Sequence, residues 1–282
     1  MKQCSIWFVG STQTVGMLFD GALFSQLEAR LFDDLEQAQQ TLDGSSPPPE
    51  LIVLIQSRPG EFTDRAIEAL RRSAPLARVW RVVGTWCEGE GRSAPPPAGC
   101  ASAYWHQWPA RWGRELARTE RGELPSWTLP LTASPEERML ELDAEPLARG
   151  AGPVAVFARH PASAAALFDV CRLGGYQPTI VDAASLLMEH GPAPLSPAVL
   201  ERPRILWDAT PEQIADPAAI KKLRTDCGSG PIVAVVGFVR PDDCRRAAVA
   251  GVAAVVTKPY LIHDLLWQLA RVIPKPQSGG LR

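Results

Sequence analysis

Residues 231–260 read PIVAVVGFVRPDDCRRAAVAGVAAVVTKPY. The five apolar residues Ile232 to Val236 form a run of the length and continuity that a strand buried on both faces shows. Pro241 to Ala250 carries helical patterning, and a second apolar run follows at Val252 to Val256. Strand, helix and strand in such close succession mean parallel strands joined by crossovers, the unit of an open α/β sheet.

Working outward, the same alternation extends upstream through Arg204 to Trp207 (strand) and Pro217 to Arg224 (helix), preceded by the Pro-rich loop Gly191 to Pro203. Before that loop come Val154 to Phe157 (strand), Ala162 to Leu173 (helix), Thr179 to Val181 (strand) and Ala183 to Glu189 (helix). A final helix spans Ile262 to Val272, so residues 153–273 hold five βα units, with 274–282 as a tail.

The first half alternates in the same way. Ile6 to Val9, Leu31 to Phe32, Leu51 to Ile55 and Val79 to Val83 read as strands, and Leu18 to Leu27, Leu35 to Leu42 and Thr63 to Arg72 as helices, with Gly44 to Pro49 as a loop. A last strand carries Tyr104, Trp105 and Trp108. Residues 1–118 thus form one domain. Residues 119–152, with Pro125, Pro130, Pro135, Pro146 and three residues Gly150 to Gly152, form a Pro-rich linker. One short helix, Pro135 to Leu142, is expected there, because Ser134 followed three positions later by Glu137 is a helix-start signature. Ala98-Gly99 and Ala250-Gly251 precede the last strand of each half, and Gly84 and Gly237 close each fourth strand. An internal duplication explains both correspondences. The expected fold class is therefore α/β, with two five-stranded parallel sheets carrying helices on both faces.

Composition agrees with two globular domains. The chain has 282 residues, 46% hydrophobic and 21% charged, and 29 Lys and Arg against 31 Asp and Glu leave a formal charge of -2. Near-neutrality without a dense basic run disfavours nucleic acid as a partner. The opening apolar run is interrupted by Ser11 to Thr14, too early for a signal core or a span, so a cytoplasmic protein without membrane contact is expected. The six cysteines show no C-x-x-C pair and no His at ligand spacing. Neither a metal site nor a disulfide framework follows, and buried reduced thiols are expected. The sequence is rich in Pro, with 27, and in Trp, with 9.

The second half resembles a response-regulator receiver domain. Asp208 ends the third strand (Ile205-Leu206-Trp207-Asp208), and Thr257-Lys258-Pro259 follows the fifth. The resemblance implies a flavodoxin-like strand order 2-1-3-4-5, with Asp208 as phosphoacceptor and Lys258 contacting the phosphoryl group. It also implies a pair of metal-holding acids after the first strand and a hydroxyl at the end of the fourth. Here those positions read Ala158-Arg159 and Val236-Gly237. Phosphoryl transfer to a carboxylate requires Mg²⁺ held by carboxylates, and a guanidinium in their place repels the metal. Asp208 is then expected to pair with Arg159 or Lys258, or to cap the turn through its side chain. The first half departs further: its third strand ends Ile55-Gln56, which places an amide at the acceptor position, and the lysine position falls among His106, Gln107 and Trp108.

The remaining candidates are weak. His160 in the first β-to-α loop has no activated nucleophile nearby. Gly89-Glu90-Gly91 runs into prolines rather than a helix, and so reads as a solvated loop rather than a phosphate cradle. His106, His190 and His263 lie singly. Among the aromatic residues, Trp86, Trp108 and Trp112 fall beyond strand ends, where they either cover sheet edges, with Trp127, or form an exposed anchor for a partner.

The sequence therefore leads to a non-catalytic tandem pseudo-receiver without cofactor or metal. It would bind other signalling proteins, such as a histidine kinase or another regulator, with Asp208, Lys258, Arg159 and Gly237 as the remnant pocket. Two alternatives stand beside it. One is a phosphorylation-competent regulator using Asp208 with ligands such as Asp182 or Asp242. The other is a small-molecule-binding or enzymatic protein using the crevice around Arg159, His160, Asp208 and Lys258.

Overall fold

The computed structural model describes residues 5–11, 28–43, 47–90, 99–130, 132–143, 145–181 and 202–273. The helices expected at Leu18 to Leu27 and Ala183 to Glu189, most of the loop Gly191 to Pro203, residues 91–98 and the tail lie outside the described residues, as do Cys4, Asp182 and His190. The chain divides into two compact units, Met1–Glu145 and Pro146–Arg282.

In the first unit the strands are β1 (Ser5–Val9), β2 (Glu28–Phe32), β3 (Leu51–Gln56), β4 (Arg78–Val83) and β5 (Cys100–Tyr104). The helices described are α1 (Leu35–Asp43), α2 (Asp64–Ser73), α3 (Trp108–Glu120) and α4 (Pro135–Asp143). All strand pairs are parallel and the order is β2-β1-β3-β4-β5. β3 is buried at every position, which its unbroken apolar run requires of a central parallel strand. Successive side chains point to opposite faces. Trp7, Val9, Ile52, Leu54 and Val79 therefore share one face and pack against Ala38 of α1 and Ile67 and Leu70 of α2.

The second unit repeats the plan with β6 (Pro153–Phe157), α5 (Pro161–Leu173), β7 (Gln177–Ile180), β8 (Arg204–Ala209), α6 (Pro211–Ile214), α7 (Pro217–Cys227), β9 (Ile232–Gly237), α8 (Pro241–Ala250), β10 (Ala254–Lys258) and α9 (Ile262–Arg271). Its strands are again parallel, in the order β7-β6-β8-β9-β10. Both sheets thus show the flavodoxin-like order 2-1-3-4-5. One face of the second sheet, with Val154, Val156, Leu206, Val233, Val235 and Val256, packs on Leu167 and Cys171 of α5 and Leu265, Leu266 and Leu269 of α9.

Among the elements that differ from expectation, three have a reason visible in the structure. β10 begins at Ala254 rather than Val252. Gly251 (φ 97) caps α8 in the left-handed region, and the Val252 N–H is still bound to Ala247 O at 2.9 Å, so pairing starts only when the Ala253 N–H reaches Ile232 O. Trp108 does not belong to the fifth strand. The chain turns after Tyr104, and Trp108 opens α3 with Pro109 in its first turn, where a missing N–H costs nothing. The expected 119–152 linker is divided: residues through Glu145 belong to the first unit. There Glu115 of α3 accepts from the Ser126 N–H at 2.7 Å and Arg114 pairs with Glu145 at 2.9 Å. The start signature of α4 is present, with Ser134 and Glu137 bonded reciprocally at 2.7 and 3.2 Å.

Candidate functional site

In open parallel sheets, ligand chemistry gathers at the carboxyl ends of the strands. In the second unit this edge holds Asp208 in β8, on the same face as Leu206, and Lys258 at the end of β10. The two form an ion pair across the end of β9, and their side chains are 10% and 41% exposed. Between them Gly237 pairs with Lys258, and a Cβ added there would meet nothing within 4 Å, so the space over β9 is open. Of the two partners expected for Asp208, Lys258 is therefore the one realised. Arg159 is exposed and makes no ion pair with a described residue, and Ala158 beside it is fully buried. Tyr260, half-buried below the site, has its phenol pushed up first by burial and then by the charge of Asp208.

Two described acids near this edge, Asp242 and Asp243, are engaged elsewhere. Asp242 pairs with Arg245, and Asp243 both pairs with Arg246 and accepts from the Arg240 backbone N–H at 2.9 Å. Among the described residues no group of three metal-ligating side chains occurs. The lone carboxylate, held by an ammonium group, can accept hydrogen bonds. Among the described residues it has no acid pair beside it of the kind Mg²⁺ requires.

Pairing registers place the first unit's counterparts. Val9, last in β1, pairs with Leu54, and Phe157, last in β6, pairs with Trp207. The next residues, Ile55 and Asp208, are therefore equivalent, and the first unit's counterpart of Asp208 is a buried isoleucine rather than Gln56. Val83 pairs with Tyr104 as Val236 pairs with Thr257, which makes Trp105, not a residue among His106, Gln107 and Trp108, the counterpart of Lys258. One residue's difference matters because it moves a side chain to the other face of the sheet.

Gln56 points into the α1 and α2 face, where it closes a polar network. Its amide donates to Glu90 at 2.9 Å and to Arg58 O at 3.1 Å, and accepts from Arg81 at 3.1 Å, while Arg81 pairs with Glu90 at 3.4 Å. Glu90, expected in a solvated loop, is thus turned inward, drawn by a guanidinium only 12% exposed. No spacing rule announces that contact. Gly10 (φ 137) brings the end of β1 against β3, where a Cβ would lie 2.6 Å from Ile55 O.

Trp108 and Trp112 are fully buried and are not an exposed anchor. Four residues apart on α3, they share one face. Their rings stack at 5.2 Å, Trp127 stacks on Trp112 at 5.6 Å, and Trp80 meets Trp108 edge-on at 5.1 Å. The sheet-covering role is therefore the one these rings fill. Trp86, in a 3-10 turn at Thr85–Cys87, is 82% exposed. Phe238 is a further exposed aromatic at 91%, directly after Gly237. The continuation of the apolar run past that glycine was its one signal in the sequence.

Of the histidines, His160 is exposed and precedes α5 without a side-chain cap bond, and burial pushes the His106 imidazole down to about 4. Cys87, Cys100, Cys171, Cys227 and Cys244 are reduced, outside any disulfide. Burial is the main reason that Cys87 and Cys100 are pushed up to about 11 and Cys171 and Cys244 to about 12, which makes them poor nucleophiles.

No protein-family model matches the chain, and no curated protein does. Among solved structures it is similar to a GsuK channel (12% identity, TM-score 0.30, covering 95% of this chain and 64% of that one). A GsuK channel bound to NAD is similar at 13% identity and TM-score 0.28, covering 95% of this chain and 63% of that one. The chain thus spans less than two thirds of the length of these two proteins. Among the described residues, no helix is long and apolar enough to cross a membrane.

Proposed function

We propose that the protein is a tandem of phosphorylation-incompetent, receiver-like domains that acts in the cytoplasm by binding other signalling proteins, such as a histidine kinase or another regulator. The observation that carries this reading is the Asp208–Lys258 ion pair standing beside Ala158 and Arg159. An acyl phosphate forms on a carboxylate only when a divalent cation neutralises the incoming oxygens. In this reading the cation's ligands have been replaced by a methyl group and a guanidinium, and the carboxylate serves to hold the strand ends together. The first unit supports the same conclusion, with Ile55 and Trp105 at the acceptor and lysine positions. What each unit retains is a shaped surface, and Trp86 is the kind of exposed aromatic that anchors protein interfaces.

Intact-mass measurement after incubation with acetyl phosphate and Mg²⁺ tests the reading. The unmodified mass is expected. A phosphoryl adduct that disappears in Asp208→Asn would overturn it.

A further inference from the structure

Among the described residues every Phe, Trp and Tyr ring is buried or half-buried except those of Trp86 and Phe238. Both stand on the loop after the fourth strand of their unit, just past the equivalent glycines Gly84 and Gly237, so the same loop displays an aromatic in each repeat. Phe238 adopts φ 53. A bulky residue in the left-handed region is strained, and a ring 91% exposed gains no burial in return, so packing is not what keeps it there.

The charges around it lean positive, with Glu212 of α6 an exposed acid at this edge, beside Asp243 and Arg246. Arg159 follows β6, Arg240 follows β9, both are exposed, and neither pairs with a described carboxylate. The nearby acids Asp208, Asp242 and Asp243 are already matched by Lys258, Arg245 and Arg246. Helices α5 and α8 also begin at this edge, adding their positive ends. β6 and β9 flank β8, so their ends are about 10 Å apart, the length of about three extended residues. The open space over Gly237 leaves the approach clear.

We propose that Arg159, Phe238 and Arg240 form a docking surface for an acidic, extended segment of a partner protein. An apolar side chain of that segment lies on Phe238, and carboxylates about three residues apart engage the two guanidiniums, which match carboxylate geometry in a bidentate fashion. This rests on the interaction-module reading and names the partner's chemistry.

The test uses the full chain and labelled peptides containing Glu-Leu-Gly-Glu, compared with the Gln and Lys counterparts and with a single-stranded oligonucleotide. The acidic peptide is expected to bind at least about tenfold tighter than the Gln form. Phe238→Gly, which the left-handed backbone accommodates, is expected to keep the thermal midpoint while weakening binding about tenfold. The double variant R159E/R240E is expected to shift preference to the Lys peptide. No acidic preference in the full chain, unchanged binding in these variants, or binding of the oligonucleotide alone would overturn the proposal. None of these results bears on the acetyl phosphate experiment, so the two readings fail separately.

Discussion

Replacing Trp112 by alanine removes the middle ring of the stack that holds α3 on the first sheet. The side chain is fully buried, lies between Trp108 at 5.2 Å and Trp127 at 5.6 Å, and meets Phe8 edge-on at 6.1 Å. A buried tryptophan removes roughly 150–250 Å² from water, which at about 25 cal/mol/Å² is ~4–6 kcal/mol. A denatured chain that already buries part of this area lowers the figure, toward the ~3–5 kcal/mol typical of Trp→Ala in cores. With a urea slope of ~2 kcal/mol/M, a loss of ~4 kcal/mol moves the unfolding midpoint by ~2 M. That is a large part of the ~5–15 kcal/mol available to a domain of this size. The assay is hydrogen exchange read by mass spectrometry across a urea series, following peptides from β3 and β4 separately from peptides of β8 and β9. Trp86→Ala, at a ring 82% exposed, is the control and should change stability by less than ~0.5 kcal/mol. If Trp112→Ala moves the β3 and β4 midpoint no further than Trp86→Ala does, the assignment of Trp112 to the core is wrong.

Lowering the pH should weaken the first unit through His106. Its imidazole falls from an ordinary 6.5 to about 4 in the folded state because burial disfavours the charged form, so its contribution is complete above 6.5 and is lost as pH falls through about 4. The loss approaches ~3 kcal/mol and should vanish in His106→Phe, as midpoints measured at pH 7 and pH 4 would show. Glu115 acts with the opposite sign: burial raises its carboxyl, so its contribution is present at low pH and lost as pH rises through the raised value. Glu115→Gln should flatten the stability profile there. Lys258→Ala should cost the second unit ~1–2 kcal/mol by leaving Asp208 unpaired, and a double-mutant cycle with Asp208→Asn should return a coupling near 1 kcal/mol; a coupling of zero would show that the ion pair contributes nothing. Gly10→Ala places a Cβ 2.6 Å from Ile55 O and should destabilise by more than ~2 kcal/mol. Gly237→Ala, with nothing within 4 Å, should be tolerated, and equal thermal shifts for the two would contradict the close approach of β1 to β3.

Much of this architecture could be read from local pattern. Leu51 to Ile55 and Ile232 to Val236 are unbroken apolar runs because both their faces are covered, and that requirement is visible without knowing what covers them. The Ser134 to Glu137 start signature was legible for a similar reason, since its donors and acceptors lie within one turn. That Ala158 and Arg159 stand where the receiver resemblance would place acids needed only the spelling of the chain.

The parts that were not legible depend on contacts between distant residues. Gln56 looked like the acceptor because it is the polar end of its strand, but the pairing of Val9 with Leu54 turns Ile55 toward Asp208's position and sends Gln56 to the other face. A strand's alternation says that neighbours oppose each other without saying which one faces which helix. Glu90 turning inward to Arg81 and Gln56, and Lys258 rather than Arg159 reaching Asp208, are choices among residues 9 to 50 positions apart in the chain.

The sequence by itself determined the class of fold, because hydrophobic periodicity is a local quantity. Only the tertiary structure decided which tryptophans are core and which is displayed, which cation holds Asp208, and that Phe238 stands in solvent with a strained backbone. Exposure and ion pairing are set by what folds over a residue, and for Trp112 and Trp86, alike in composition and both beyond strand ends, that covering was the whole difference.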